Sequence, residues 1–345
     1  MRRARWLVAV ALLGAAGVWL GLRLLENAWL HQPIAAITGP VVFDVAAGSS
    51  LQKVADDLAR RGLLDRAWFW VRHARRTGAA TRIQAGEYEI LPGTTPAALL
   101  DKLVAGDVRL YALTIPEGWT IAQALAAVHA QPELTAELKG LEERVWMARL
   151  GLAGRHPEGL FFPDTYRFPR GTTDRELLVL AHRRLQRELE SAWSRRSPKL
   201  PLDDPYQALV LASLVEKETG APDERPLIAG VFANRLRLGM RLQTDPSVIY
   251  GLGAGFDGDL RRRDLERDTP YNSYTRAGLP PTPIALVGRA ALEAAVRPAE
   301  TDALYFVATG RGDGRHYFAR TLVAHNENVV RHLDNLRRGT GVQVR

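Results

Sequence analysis

The sequence predicts an α+β protein with one N-terminal membrane helix, and three observations carry that prediction. An uncharged apolar run at residues 6–22 follows an arginine-rich start. Between residues 41 and 125, a pattern of short strand, glycine turn, Ser or Thr, and amphipathic helix occurs three times. The rest of the chain mixes apolar helices with short strands, which predicts a further mixed α/β domain.

The apolar run Trp6–Leu22 is long enough to cross a bilayer, which takes about 17–25 helical residues. Arg2, Arg3 and Arg5 precede it, and Arg23 follows it. The positive-inside rule therefore predicts a cytoplasmic N-terminus, with the remainder of the chain on the other side of the membrane. A cleaved signal peptide and a buried core helix are the alternatives to this single-pass anchor.

The composition narrows the classes of partner and chemistry. The chain has 46 Lys and Arg against 38 Asp and Glu, a net charge of +8, which suits nucleic acid, anionic lipid or an acidic polymer. Because most of the chain is expected outside the cytoplasm, nucleic acid is not an expected partner. The chain has no cysteine, which excludes a thiol nucleophile and a disulfide scaffold, and it has no phosphate-binding or metal-ligand motif. We expect no cofactor and no metal.

The repeated pattern resembles the lysin motif, a small peptidoglycan-binding module. In each copy a Ser or Thr follows the glycine turn, where a helix N-cap is expected. A further helix is predicted over Ala67–Arg76. Any α+β unit can begin a helix in this way, so a purely structural interpretation stays open. The three strands and the helices after them begin near Phe43 and Leu51, Tyr88 and Ala98, and Leu113 and Ile121.

Two segments between residues 126 and 204 have open interpretations. The segment Glu158–Phe168 is rich in aromatic residues and broken by Pro163, so it is not a regular helix. It could line a carbohydrate groove or cover the core. Residues 174–195 predict a highly charged helix with a solvated face.

The most informative helix begins after Asp204 and ends near Gly220. It is apolar on nearly all sides from Ala208 to Val215, so it should be buried. Glu216 and Glu218 follow, about 200° apart around the helix. Glu218 shares its face with larger apolar side chains, which should raise the pKa of its carboxyl and suit it to general acid catalysis. A surface ion-pair network of both glutamates with Lys217, Arg225 and Arg235 is the alternative.

Several polar segments follow this helix. Met240–Gln243 alternates as a short strand would, before a turn at Asp245–Pro246. Tyr271–Thr275 places two tyrosines around Asn272 and Ser273, and a proline-rich loop follows. Near the C-terminus, the sequence predicts strands over Ala303–Ala308 and His316–Phe318, joined by a glycine-rich hairpin, and then a last helix.

Taken together and in order, these motifs are similar to those of the endolytic murein transglycosylase (YceG-like) family. The matching segments are Leu211–Gly220, Val231–Leu236, Gly239–Pro246, Val248–Gly251, Tyr271–Thr275, Gly278–Pro281, Pro283–Ile284, Tyr305–Val307 and His325–Asn326. The resemblance implies an inner-membrane enzyme that cleaves nascent peptidoglycan strands internally, which helps to terminate their elongation; peptidoglycan synthases are possible partners. It also favours the lysin-motif interpretation and a catalytic Glu218.

The resemblance implies one reaction and leaves two rivals. In lytic transglycosylation a single glutamate, here Glu218, acts as acid and then as base, and a substrate hydroxyl closes a 1,6-anhydro ring. We expect Thr219, Gln243, Asn272 and Tyr274 to bind substrate, whereas Asn234, Arg235 and Asp245 are expected to be structural. A muramidase would recruit Glu216 or Asp245 as a second carboxylate. A non-enzymatic, membrane-tethered glycan-binding scaffold is the other rival.

The predicted organisation has five parts. They are a cytoplasmic tail at 1–5, a transmembrane anchor at 6–25, a linker at 26–40, a lysin-motif-like region at 41–125 and a YceG-like catalytic domain at 126–345.

Overall fold

A computed structural model describes residues 2–339 of the chain. Met1, in the expected tail, and 340–345, in the expected catalytic domain, lie outside the described residues. The chain forms two compact units, and the elements are mixed α and β as predicted. Unit 1 takes in the chain up to Tyr111 together with Arg167–Gly171, and unit 2 takes in Ala112–Tyr166 and the chain from Thr172 onward.

Unit 1 begins with a long apolar helix and continues as an α+β core. Within the helix, Ala9–Leu30 is long and apolar enough to cross a membrane, judged by length and composition. Strands β1 and β2 pair antiparallel, with Val41 opposite Ile90 and Val45 opposite Gly86. The elements are α1 (Arg2–Leu30), β1 (Val41–Val45), α2 (Leu51–Arg60), α3 (Ala67–Arg76), β2 (Gly86–Ile90) and α4 (Pro96–Ala105).

Helix α1 extends five residues beyond the expected anchor. Trp29 and Leu30 belong to the hydrophobic core of unit 1, so the start of the expected linker is helical and buried. The buried carboxylate of Glu26 forms an ion pair with Arg72 of α3, and the Trp29 indole donates to Asp65 Oδ1 at 2.7 Å. These partners explain why the helix continues past the apolar run.

The three predicted strand–turn–helix patterns are confirmed as local structure. Ser50 accepts a hydrogen bond from the backbone N–H of Lys53, and Thr95 accepts one from Ala98, so each caps its helix. Thr120 caps the third helix through a capping box. The division between the two units comes at Tyr111, inside the third pattern. The predicted assignment of residues 41–125 to one glycan-binding region remains a prediction.

Unit 2 is mainly helical. Strands β3 and β4 form one two-stranded sheet, and the unit boundary falls within both strands. Strands β5 and β6 form an antiparallel hairpin in which Ala308 lies opposite His316. The elements are β3 (Leu110–Thr114), α5 (Ile121–Ala130), α6 (Glu143–Arg149), β4 (Thr165–Pro169), α7 (Asp174–Ser194), α8 (Pro205–Glu218), α9 (Arg225–Arg237), α10 (Asp245–Leu252), α11 (Arg262–Glu266), α12 (Arg289–Val296), β5 (Tyr305–Ala308), β6 (His316–Ala319) and α13 (Leu322–Gly339).

Helix α8 is the centre of unit 2. Its residues from Ala208 to Val215 are all buried, as predicted, and α7, α9, α10 and α12 pack around it. Each leucine or valine side chain in this run contributes about 1.5–3 kcal/mol when it is fully removed from water. The charged helix α7 also buries an apolar face, including Leu178 and Leu185, so the expectation of a merely solvated helix was incomplete.

The aromatic segment at residues 158–168 covers the core. Phe161, Phe162, Tyr166 and Phe168 are buried, and the Tyr166 hydroxyl donates to the backbone carbonyl of Phe162 at 2.5 Å. These rings are therefore not available to line a carbohydrate groove. Of the two interpretations that the sequence left open, the structure supports the core-covering loop.

Candidate active site

Helix α8 presents its two glutamates to different surroundings, as their spacing predicts. Glu216 Oε2 accepts a hydrogen bond from the backbone N–H of Gly288 at 3.0 Å, and Glu216 Oε1 lies 3.6 Å from Arg225 Nη2. Glu218 Oε1 accepts a hydrogen bond from the hydroxyl of Thr244. Glu216 is thus held against the loop before α12, whereas Glu218 faces the turn before α10.

Burial raises the pKa of Glu218 to about 7. The negative charge of Asp245 raises this pKa further, while the Thr244 hydrogen bond and the charge of Arg235 lower it. Burial raises the pKa of Glu216 as well, against the hydrogen bond from Gly288. A carboxyl with a pKa near 7 can both donate and accept a proton at neutral pH.

The turn that faces Glu218 has an unusual backbone. Gln243 adopts a positive φ of 50°, the only such non-glycine residue among residues 2–339. Its N–H donates to the carbonyl of Ser273 at 3.1 Å, and the N–H of Thr244 donates to Ser273 Oγ at 2.9 Å. The hydroxyl of Ser247 lies 2.8 Å from that of Ser273. We call this set of hydrogen bonds the Ser273 clamp.

The predicted strand over Met240–Gln243 is wrong, because these residues form no ladder. The chain instead turns at Gln243 and enters α10 at Asp245, with Pro246 in the first turn of the helix. Leu242 is buried, and its carbonyl accepts from Arg235 Nη1 at 2.7 Å. The alternation of apolar and polar residues over Met240–Gln243 therefore reflects the burial of Leu242 alone, and not the pairing of a strand.

Glu218 opens onto a cavity of about 640 Å³ within unit 2. Of the predicted site residues, Glu218, Gln243 and Tyr274 line it together. Arg235 and Asp245, expected to be structural, line it as well. The far wall comes from β5, β6 and α13 and includes Tyr305, Phe306, Val307, Ala308, His316, Leu322, His325, Asn326 and His332.

Arg235 and Asp245 are each fixed by specific contacts. Arg235 donates from Nε to the carbonyl of Leu304 at 2.6 Å, and its guanidinium lies 5.2 Å from the centre of the Tyr305 ring. Asp245 Oδ1 accepts a hydrogen bond from the hydroxyl of Tyr274 at 2.6 Å. The sequence did not predict that these two residues line the cavity. The only indication for Asp245 was that an acidic residue is favoured in the first turn of a helix.

The far wall of the cavity contributes the aromatic rings of Tyr305 and His325. His325 stacks on Tyr305 with ring centres 5.2 Å apart. Burial, and then the charge of Arg235, lower the pKa of His325, so its ring is neutral at pH 7. Its buried Nδ1 has no hydrogen-bond partner in the part of the chain that the structure describes. Such a wall can pack a sugar ring.

The comparison with protein families decides the affiliation. The model of the YceG-like family matches residues 43–331, which includes every residue that lines the cavity except His332. The chain belongs to the YceG-like family.

Curated relatives and a solved structure agree with this assignment. The chain is 31% identical over 312 residues to an endolytic murein transglycosylase of Bacillus subtilis, covering 86% of this chain and 85% of the relative. It is 29% identical over 366 residues to one of Streptococcus pneumoniae, covering 96% of this chain but 65% of the relative. A crystal structure of a yceG-like protein from Listeria monocytogenes has a TM-score of 0.52 and 29% identity, covering 84% of this chain and 98% of that one.

Two of the predicted substrate-binding residues of this YceG-like chain lie outside the cavity lining. Thr219 is buried, and its hydroxyl accepts from the N–H of Ala221 at 2.9 Å. Asn272 is also buried; its amide donates to the carbonyls of Leu265 and Arg267, and its Oδ1 accepts from the N–H of Tyr274 at 2.8 Å. These bonds fix the loop that carries Tyr274, and direct substrate contact by either residue stays a prediction.

Proposed function

We propose that this YceG-like enzyme is an endolytic lytic transglycosylase of peptidoglycan. It would cleave the β-1,4 bond between N-acetylmuramic acid and N-acetylglucosamine inside nascent glycan strands and leave 1,6-anhydro ends. The observation that carries the proposal is Glu218, a carboxyl with a pKa of about 7 at the edge of a 640 Å³ cavity. The name shared by the curated relatives, endolytic murein transglycosylase, supports the same class of lyase.

The proposed reaction needs one carboxyl that changes role. Protonated Glu218 donates its proton to the glycosidic oxygen as the bond from the anomeric carbon breaks. The carboxylate then accepts the proton of the muramic acid 6-hydroxyl, which attacks the anomeric carbon and closes the anhydro ring. No water is consumed, and Glu218 ends protonated as it began.

The other cavity residues suit substrate positioning. Gln243 and Tyr274 flank Glu218 and can hydrogen-bond sugar hydroxyl or acetamido groups. The stacked rings of Tyr305 and His325, which line the cavity, offer an apolar surface for a pyranose ring. Backbone bonds hold Arg235 in place, so it can orient Gln243, whose Oε1 lies 3.4 Å from Arg235 Nη1.

The membrane and glycan-binding assignments belong to the same proposal. Helix α1 would anchor the enzyme in the inner membrane, with the N-terminus in the cytoplasm and the chain that follows the helix in the periplasm. The strand–turn–helix patterns of residues 41–125 would bind glycan strands as a lysin motif does. Nascent strands lie close to that membrane surface, so internal cleavage there would terminate strand elongation beside the peptidoglycan synthases.

A product analysis tests the proposal against its rivals. Detergent-solubilised full-length protein is incubated with uncrosslinked glycan strands, and the products are identified by mass spectrometry. Internal fragments with anhydro ends are expected. Reducing ends would instead identify a muramidase, and binding without cleavage would identify the scaffold.

A further inference from the structure

Two carboxyls that line the catalytic cavity lie at opposite ends of their helices. Glu218 is the last residue of α8, and Asp245 is the first residue of α10. Partial negative charge accumulates at a helix C-terminus and partial positive charge at an N-terminus. The backbone therefore favours the neutral acid at Glu218, whereas Asp245 lies at the positive end of its helix.

Side-chain contacts reinforce this asymmetry. Asp245 Oδ1 accepts a hydrogen bond from the Tyr274 hydroxyl at 2.6 Å, and such a bond is stronger to a carboxylate than to a neutral acid. Glu218 has the hydroxyl of Thr244, the residue before Asp245, as its partner. The negative charge of Asp245 also favours the protonated form of Glu218. Pairs of carboxyls in contrasting surroundings are a recurrent feature of glycosidase sites.

Besides Glu218 and Asp245, one arginine and several tyrosines and histidines line the cavity. Arg235, from α9, favours the ionised form of Glu218. Its Nε and Nη1 donate to backbone carbonyls, so the guanidinium is held by the fold. The other titratable groups in the cavity lining are Tyr274, Tyr305, His316 of β6, and His325 and His332 of α13.

We propose that Asp245 is the second carboxylate of this site: ionised beside a neutral Glu218, it stabilises the positive charge that develops on the sugar ring while the glycosidic bond breaks. This inference rests on the proposed function. Glu218 supplies the proton to the leaving oxygen, and the electron pair of the breaking bond goes to that oxygen. The anomeric carbon becomes electron-poor until the 6-hydroxyl attacks it. A fixed negative charge in the same cavity lowers the energy of that state.

The role assigned to Asp245 is electrostatic and involves no proton transfer. One oxygen of Asp245 is already engaged by the hydroxyl of Tyr274. In a muramidase, by contrast, a second carboxylate would activate water or form a bond to the sugar. Asp245 is therefore expected to influence the rate and the pH dependence without changing the anhydro product.

The test measures anhydro-product formation against pH for Asp245→Asn in the full-length protein. We expect a loss of about 10²-fold in kcat, the size found when one preorganised electrostatic group is removed. Removal of the negative neighbour should also lower the pKa of Glu218, so the alkaline limb of the profile should move to lower pH. Asp245→Glu keeps the charge and should keep the limb in place.

Ser273→Ala is the matched control for damage to the turn. It removes the side-chain hydrogen bonds of the Ser273 clamp, keeps the backbone bond to Gln243 and changes no charge. We expect it to lower the melting temperature while the alkaline limb stays where it is. Should Asp245→Asn fail to fold, as judged by its melting transition, Asp245→Ser removes the same charge with a smaller side chain.

The outcomes separate the inference from the proposed function. An unmoved alkaline limb in the charge-removing variants, or an equal movement in Ser273→Ala, would overturn the role of Asp245. If the unmodified enzyme releases reducing ends or nothing, the proposed function itself fails. Anhydro products from the unmodified enzyme, together with a shifted limb and the expected loss of kcat in Asp245→Asn, support both; an unchanged kcat in that variant would overturn the role of Asp245.

Discussion

The helix starts of unit 1 and the turn before α10 in unit 2 are built by different means. Ser50 and Thr95 each cap a helix through a bond to a backbone N–H three residues ahead. The turn at Gln243–Asp245 is held by Ser273, which is about thirty residues away in sequence. A local bond forms wherever the short sequence occurs, whereas the clamp requires that the rest of unit 2 be folded. The catalytic site in unit 2 therefore depends more on tertiary folding than the helix starts of unit 1 do.

The largest expected effect on activity comes from replacing Glu218, the proposed catalytic carboxyl of unit 2. Glu218→Gln keeps the size of the side chain but cannot exchange the catalytic proton, so anhydro-product formation should fall by about 10²–10⁴-fold. Glu216→Gln is the matched control, because its amide oxygen can still accept from the N–H of Gly288. A folded, inactive Glu216→Gln beside an active Glu218→Gln would show that the wrong glutamate has been chosen.

The pH dependence should follow the same carboxyl. Only the protonated form of Glu218 can donate to the leaving oxygen, and its pKa is raised to about 7. The acid form is therefore present below pH 7 and is lost as the pH rises through it. We expect kcat to fall about tenfold per pH unit well above pH 7. A rate that stays constant from pH 6 to pH 9 would contradict the assignment.

A third change tests the backbone of the turn. A non-glycine residue in the left-handed region costs about 1–2 kcal/mol relative to glycine. Gln243→Gly should therefore have a free energy of unfolding higher than that of Gln243→Ala by about that amount, measured by denaturant titration of the full-length protein. Both variants lose the same amide, so equal stabilities would show that the positive φ carries no strain.

The smallest effect is expected from a local cap in unit 1. Thr95→Ala removes the acceptor for the N–H of Ala98 and should cost about 1 kcal/mol. Denaturant unfolding monitored by helix content measures the loss. Thr95→Ser retains the hydroxyl and should restore most of it. If Thr95→Ala abolished glycan cleavage in protein that remains folded, the cap could not be regarded as purely local.

The sequence predicted the features that depend on local bonds better than those that depend on residues distant in the chain. The N-caps, the buried run of α8, the helix Ala67–Arg76 and the hairpin depend on residues close to one another, and all of them were predicted. The strand expected at Met240–Gln243 failed because a buried arginine in the preceding helix and Ser273, about thirty residues further along the chain, determine that backbone. Glu218 could be singled out by helical phase, whereas the approach of Asp245 depends on tertiary packing.

The last turn of α1 has a consequence for how the enzyme stands on a membrane. Because Trp29 and Leu30 belong to the core of unit 1, the helix and that unit form one continuous body without a flexible joint. Each residue inserted between Leu22 and Glu26 would rotate unit 1 by about 100° around the helix axis and lift it by about 1.5 Å. Where α1 crosses a bilayer, the helical phase therefore fixes both the height of unit 1 and the direction it faces.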